Sequence, residues 1–213
     1  EIVDKVKSEL NDLSSVSLEI DEVFLTDYDY GFCKGCYNCF EFGEDKCPHY
    51  NQINPIIDKI KACDGLIVTS PVYVLHVTAM LKNFFDHMAY FYHRPYFFTK
   101  KALAVSSTGG VGVKGVLSYM EEDLENMGFN KVYKIGLTNA RRDDEKLEKE
   151  IKKVSDGVAY GKYVSDDLYV YMKDYEVETG TGTLYAFGKE IAKDVSWNSI
   201  LYSEKDESLY FFT

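Results

Sequence analysis

The spacing of hydrophobic residues predicts helices and strands that follow one another along the first part of the chain. A helical stripe opens the sequence, and partly alternating residues from Val16 to Thr26 predict a strand. Pro55 is placed to begin a second helix, and the continuous apolar run Gly65 to Thr69 suits a buried parallel strand that ends at Ser70 and Pro71. The stripes of these two helices are Ile2, Val3, Val6, Leu10 and Leu13, and Ile53, Ile56, Ile57 and Ile60.

The alternation continues through the middle of the sequence. We expect helices from Leu75 to about Tyr90, after the glycines that follow Ser107, and around Leu147 to Val158, with strands at Lys101–Ser107 and Lys131–Leu137. On the first of these helices, the polar residues Lys82, Asn83, Asp86 and His87 are expected to lie opposite the apolar face. Gly128 is well placed to end the second helix.

Strands that alternate with helices predict an α/β fold, a three-layer doubly wound parallel sheet with ligand sites at the carboxyl ends of its strands. We count four core strands. Residues 1–140 are expected to form this core, with a cysteine-rich insert at residues 32–50, and residues 141–213 a C-terminal helix and an aromatic-rich extension. From about Val164 onward the pattern is lost, and we interpret this part as an appendage.

Composition and charge exclude two classes of partner. The 24 Lys and Arg against 35 Asp and Glu give a formal charge of -11, which repels a phosphate backbone, so no nucleic-acid partner is expected. The longest uncharged apolar window, Gly65 to Leu81, is interrupted by Ser70 and Pro71 and contains His76. We therefore expect no membrane-spanning segment.

Four of the five cysteines lie within fifteen residues, at the spacing Cys-x2-Cys-x2-Cys-x7-Cys. Such crowding indicates a ligand site in a reducing, cytoplasmic setting rather than a distributed disulfide framework. The triplet followed by Cys-Pro is typical of [4Fe-4S] loops, whereas zinc sites commonly take their ligands from two separated pairs. Disulfides or unliganded thiols remain the alternatives for the candidate metal ligands Cys33, Cys36, Cys39 and Cys47.

Two turns at predicted strand ends are candidates for a cofactor site. "TSPVY" places small polar groups and an aromatic ring after one strand, and "SSTGGVG" places hydroxyls and glycines after the next. Each motif alone is weak, but both are expected at the same edge of the sheet. No nucleophile or paired-carboxylate site is evident, so the chemistry is expected to come from a bound cofactor.

Together, "CKGCYNC", "ACDGLIVTSPVY" and "LKNFFDHMAYFYHRPYFFTKKALAVSSTGGVG" resemble the flavodoxin-like NAD(P)H-dependent FMN reductase family, in its iron-sulfur flavoprotein branch. The resemblance implies a five-stranded sheet with FMN across its carboxyl edge, and [4Fe-4S] ligation by the four clustered cysteines. It also implies flavin contacts from Ser70, Pro71, Val72, Tyr73, Ser107, Thr108, Gly109 and Gly110, with Gly112 nearby. We expect the first, central strand and its phosphate loop to lie before Glu1.

The resemblance implies an FMN-dependent oxidoreductase that moves electrons between NAD(P)H or a ferredoxin-type donor and a small-molecule acceptor. A cluster-free NAD(P)H-dependent FMN or quinone reductase is the first alternative, and a non-catalytic redox carrier or sensor is the second. The resemblance further implies a homodimer or homotetramer.

Overall fold

The computed structural model of the protein describes residues 1–14, 18–160, 200–203 and 208–211. The helices are α1 (Ile2–Leu13), α2 (Asn38–Glu41), α3 (Tyr50–Ala62), α4 (Ala79–His87), α5 (Val113–Asn126) and α6 (Asp144–Tyr160). The strands are β1 (Gly65–Pro71), β2 (Lys101–Thr108), β3 (Lys131–Thr138), β4 (Ile200–Ser203) and β5 (Ser208–Phe211). Single 3-10 turns occur at Leu25–Asp27, Glu44–Lys46, Ala89–Tyr92 and Asn139–Arg141.

The central feature is a parallel sheet in the order β1-β2-β3. Gly65 pairs with Lys101 and Lys101 with Lys131, so the three strands begin at one level and end at one edge. The α/β architecture with a parallel sheet is confirmed. Because the strands end together, the turns that follow them share the carboxyl edge, where ligands bind in such folds.

Alternate residues of the strands contribute to two separate cores. Ala102, Ala104 and Val132 face the core that includes α3, α4 and α5. Leu103, Val105 and Ile135 face the second core, where apolar residues of α1 and α6 cover them. The sheet is therefore the middle layer of three.

Two predictions from the sequence were wrong: one strand, and the start of one helix. Residues 18–24 pair with no strand within the described part of the chain, and Leu25–Asp27 is a 3-10 turn, so three parallel strands are present there instead of four. Val23 and Leu25 pack on the first core, which accounts for the apolar positions that imitate a strand pattern. Pro55 lies inside α3 rather than at its start, because the buried isoleucine stripe on both sides of it holds the helix together.

The predicted helix Leu75–Tyr90 is also shorter than expected and its polar face was misassigned. Thr78 caps α4, where its hydroxyl oxygen accepts a hydrogen bond from the Leu81 N–H at 3.3 Å, and a 3-10 turn follows the helix. Asn83 and His87 are 8% and 5% exposed, respectively, not solvated. The cysteine-rich segment covers them, which the helical pattern alone does not reveal.

Other local predictions are confirmed. Gly128 ends α5 with a φ of 102°, and the bonds from its N–H and that of Phe129 to Glu125 and Leu124 form a Schellman motif. In addition, Glu145 and Lys149, one helical turn apart on α6, form an ion pair at 2.6 Å. Among the described helices, none is both long and apolar enough to cross a membrane.

The predicted C-terminal appendage lies mostly outside the described residues, including Trp197. Its described strands β4 and β5 pair with each other in antiparallel fashion. The domain division at residue 140 stays a prediction.

Candidate functional site

The turns after β1 and β2 touch each other at the carboxyl edge of the sheet. The Val72 N–H donates to the Ser107 carbonyl at 2.9 Å. Gly112 has a φ of 97°, and a Cβ there would lie 2.8 Å from Val72 Cγ1 and 3.2 Å from Leu75 Cδ2. The structure thus brings together the two turns that the sequence singled out separately, and only glycine fits at their contact.

The first turn is a tight reversal in a disfavoured conformation. Tyr73 and His76 exchange backbone hydrogen bonds of 2.9 and 3.0 Å, and the residues between them, Val74 and Leu75, have φ values of 49° and 64°. Left-handed backbone is costly for a β-branched residue. Val74 is 98% exposed, so its side chain gains no packing in return. Such uncompensated strain is typical of functional sites.

The predicted flavin-contact residues differ in whether their side chains are bonded within the turns or exposed. The buried Ser70 hydroxyl donates to the Pro71 carbonyl at 3.0 Å and accepts from the Thr78 N–H at 3.1 Å, so it stabilises the turn internally. The Thr108 hydroxyl likewise donates to the Val111 carbonyl at 2.9 Å. The Tyr73 side chain, in contrast, is exposed.

The glycines of the second turn leave open space beside the backbone. A Cβ at Gly109 or Gly110 would meet nothing within 4 Å, and the Gly109 carbonyl accepts from the N–H of Ala140 at 3.2 Å, which joins the turn after β3 to the same edge. An open backbone surface next to an exposed aromatic ring fits a planar ring system such as the isoalloxazine of FMN.

The four clustered cysteines line one pocket of about 380 Å³. The chain reaches it through an irregular path that includes α2 and the turn Glu44–Lys46. Cys33 and Cys36 are exposed, Cys39 and Cys47 are half-buried, and none of the five cysteines of the chain forms a disulfide. The disulfide alternative is therefore wrong for this structure, and the thiols remain available as ligands.

The four cysteines are the donor type that a [4Fe-4S] cluster takes. Within the described residues, no three His, Cys, Asp or Glu side chains converge closely enough to hold one metal ion. A [4Fe-4S] cluster takes one thiolate at each of four irons, so its ligands surround a larger volume. The four cysteines supply that number of thiols, and all four line the same pocket.

The thiols also influence one another. Burial is the main cause that raises the pKa of Cys39 to about 11, and the neighbouring Cys47, Cys33 and Cys36 contribute to the same increase. A positively charged occupant would favour the ionised form of Cys39, opposite to the effect of burial. The His49 N–H donates to Cys47 Sγ at 3.5 Å, a contact typical of cluster sites.

Sequence reasoning missed three side chains that bond to the cysteine-rich segment from α4 and from the segment after it. They are Asn83, His87 and Arg94, of which His87 lines the pocket itself. The spacing of His49 and His87 in the sequence matches no metal motif, but their rings lie 3.0 Å apart between Nδ1 and Nε2. The available signal was two polar residues at i and i+4 on a helix whose other residues are mostly apolar.

Comparison with known proteins gives a family match over residues 1–137, to NADPH-dependent FMN reductase. The chain is 31% identical over 129 residues to an iron-sulfur flavoprotein of Archaeoglobus fulgidus, covering 60% of this chain and 58% of that protein. It is 28% identical over 140 residues to an iron-sulfur flavoprotein of Clostridioides difficile, covering 64% of this chain and 61% of the relative. The chain thus spans about three fifths of the length of both relatives.

Among solved structures, the chain resembles an NAD(P)H:quinone oxidoreductase from Methanothermobacter marburgensis. The TM-score is 0.53 at 15% identity, over 77% of this chain and 88% of that protein. At this identity the similarity shows the fold, and it agrees with the flavodoxin-like architecture expected from the sequence.

Proposed function

The chain belongs to the NADPH-dependent FMN reductase family, and from this premise we propose that it is an FMN-dependent oxidoreductase of the iron-sulfur flavoprotein type. It moves electrons between NAD(P)H or a ferredoxin-type donor and a small-molecule acceptor. The family resemblance drawn from the sequence motifs is confirmed, whereas the bound groups and the electron partners are part of this proposal.

The observation that carries the proposal is that four free cysteines line one pocket beside α4. The same helix begins directly after the strained turn at the carboxyl edge. The two candidate sites therefore lie towards opposite ends of this short helix, because the pocket is lined by Asp86 and His87 of its last turn. When bound, FMN supplies two-electron and one-electron chemistry, and a [4Fe-4S] cluster supplies single-electron transfer.

The residues of the chain have distinct roles in this proposal. Gly109 and Gly110 let the backbone approach the flavin ring, and Tyr73 covers a face or edge of it, while the internally bonded Ser70 keeps the first turn rigid. The clustered cysteines supply the thiolates. Cys39 and Cys47 are half-buried, whereas Cys33 and Cys36 lie on the exposed side of the pocket.

A cluster-free NAD(P)H-dependent FMN or quinone reductase is the second candidate. The observation in its favour is the raised pKa of Cys39, about 11, because a thiol that stays protonated at neutral pH is a poor metal ligand until a metal displaces its proton. Steady NAD(P)H oxidation by iron-free protein supports this candidate.

The setting and assembly follow the same reasoning. Five free cysteines fit a reducing, cytoplasmic environment, and family resemblance supports a homodimer or homotetramer. Size-exclusion chromatography with light scattering tests the proposed assembly, and fractionation of cells tests the proposed environment.

The proposed function is tested by counting cofactors in protein purified without oxygen. We expect one FMN and four irons per chain, with iron lost in Cys36→Ser and retained in the matched control Cys63→Ser, because Cys63 lies at the end of α3 outside the pocket. A flavin spectrum without iron, unchanged by Cys36→Ser, contradicts the cluster. Rapid reduction by ferredoxin without NAD(P)H turnover contradicts the enzyme and supports a redox carrier or sensor.

A further inference from the structure

The cysteine loop, residues 31–49, is fixed by buried side chains that belong to α4 and to the segment after it. Asn83 makes two hydrogen bonds to the start of the loop: its Oδ1 accepts from the Cys33 N–H at 3.0 Å, and its Nδ2 donates to the Gly31 carbonyl at 2.7 Å. This amide is 8% exposed. One side chain thus fixes the backbone on both sides of Phe32 and the direction in which Cys33 leaves the helix surface.

Arg94 holds the middle of the same loop. Its Nη2 donates to the Cys39 carbonyl, and its Nη1 lies 3.4 Å from Glu44 Oε2. The guanidinium is 14% exposed and lies over the Tyr90 ring, 5.5 Å from its centre. A planar, stacked guanidinium has little freedom to turn, so it fixes the position of the carbonyl that it binds.

The end of the loop is attached to α4 through two histidines. His87 Nδ1 lies 2.8 Å from the Asn83 carbonyl, and because a carbonyl only accepts, this nitrogen carries the proton. In neutral His87, Nε2 then accepts from His49 Nδ1 at 3.0 Å. His49 in turn bonds Cys47 through its own N–H. Three of the four cysteine positions are therefore tied to α4 or to Arg94.

We propose that Asn83 and Arg94 are positioning residues that hold the cysteine loop in a ligand-ready arrangement before any metal binds. An irregular loop that carries four ligands loses conformational entropy when it closes on a cluster. Bonds that already fix Cys33 and Cys39 reduce that loss, which makes a bound cluster harder to release. This inference rests on the cluster in the proposed function, but the loop geometry is measurable without metal.

The test compares Asn83→Leu, which keeps the volume and removes both hydrogen bonds, with Asn54→Leu, which changes an asparagine on exposed α3 surface. In metal-free protein we expect amide hydrogen exchange at Cys33 to rise about tenfold in Asn83→Leu, the effect of one lost hydrogen bond, with the β2 amides unchanged. After anaerobic reconstitution, we expect iron to be lost to a chelator about tenfold faster. Asn54→Leu should match the wild type in both measurements.

Arg94→Met provides an independent arm, with Arg142→Met as its control, since Arg142 pairs with Glu1 and Asp144 on the far side of the sheet. We expect faster iron loss in Arg94→Met and a wild-type rate in its control. If Asn83→Leu does not fold, the milder Asn83→Asp, which keeps the acceptor for Cys33 but not the donor to Gly31, replaces it.

Two outcomes overturn different statements. Folded Asn83 and Arg94 variants that retain iron like the wild type overturn the positioning role, even if exchange at Cys33 rises. Wild-type protein that takes up no iron overturns the cluster of the proposed function, and the positioning role with it.

Discussion

The cysteine loop and the two turns at the carboxyl edge are built by different kinds of interaction. Side chains hold the loop, chiefly Asn83 and Arg94. The turns are held by backbone bonds such as that between Val72 and Ser107, and by glycine at the point where they touch. Each region is therefore sensitive to a different change. The loop depends on polar side chains that are distant in the sequence, and the turns depend on their backbone conformation.

The largest effect on stability is expected at the contact between the turns. Gly112→Ala places a Cβ 2.8 Å from Val72 Cγ1 on a backbone with a φ of 97°, so we expect the free energy of unfolding to fall by about 2–4 kcal/mol. Urea unfolding measures this loss. Gly115→Ala is the control, because its Cβ would meet nothing within 4 Å on a helix and should stabilise slightly. Equal stability of the two variants would show that backbone conformation does not hold the turns.

A smaller effect of opposite sign is expected at the strained tip of the first turn. Val74→Asn should raise the free energy of unfolding by about 1 kcal/mol, because asparagine tolerates the left-handed conformation and the 98% exposed valine loses no packing. The same substitution at Val111, which is exposed but has ordinary φ, should change stability by less than about 0.5 kcal/mol. A loss of stability in Val74→Asn contradicts the strain.

The smallest expected effect is a pH dependence of thermal stability that arises at His93, which packs against the cysteine loop. Burial, with the nearby Arg94 charge as a lesser cause, lowers the pKa of His93, whose ring contacts Phe40 of the loop at 4.8 Å between centres. A lowered folded-state pKa adds stability above the unfolded pKa of about 6.5, and that stability is lost as pH falls through the folded pKa. Melting temperatures from pH 8 to pH 5 should therefore fall less steeply in His93→Gln than in the wild type. Identical slopes would exclude His93 as the titrating group.

The periodic parts of the fold could be predicted from sequence, because their signals are local. The β2 pattern and the glycine that ends α5 each report a structure determined within a few residues. The segment 18–24 could not be predicted, since an alternating pattern becomes a strand only if a neighbour pairs with it. The helix start predicted at Pro55 was wrong for a related reason. Packing of the buried isoleucines offsets the cost of a proline inside the helix.

Some residues of the candidate site could likewise be predicted from the sequence, and others could not. The cysteines and the two turns are visible as motifs, and the structure brings each set together. The roles of Asn83 and His87 could not be predicted, because their bonding partners are distant in the sequence. Cys33, which bonds Asn83, lies 50 residues away, and His49, which bonds His87, lies 38 residues away. The inward orientation of the Ser70 hydroxyl was likewise hidden, since it depends on the path of the turn up to Thr78.

The proposed function requires that FMN at the two turns and a cluster in the cysteine loop exchange electrons. The most direct measurement is an anaerobic titration with NADPH, followed by visible absorbance and low-temperature electron paramagnetic resonance, of wild type and Cys36→Ser. We expect the flavin absorbance to bleach in the wild type and in Cys36→Ser, and the resonance signal of a reduced iron-sulfur cluster to follow only in the wild type. Wild-type protein that contains FMN and iron, and bleaches without that signal, would contradict it.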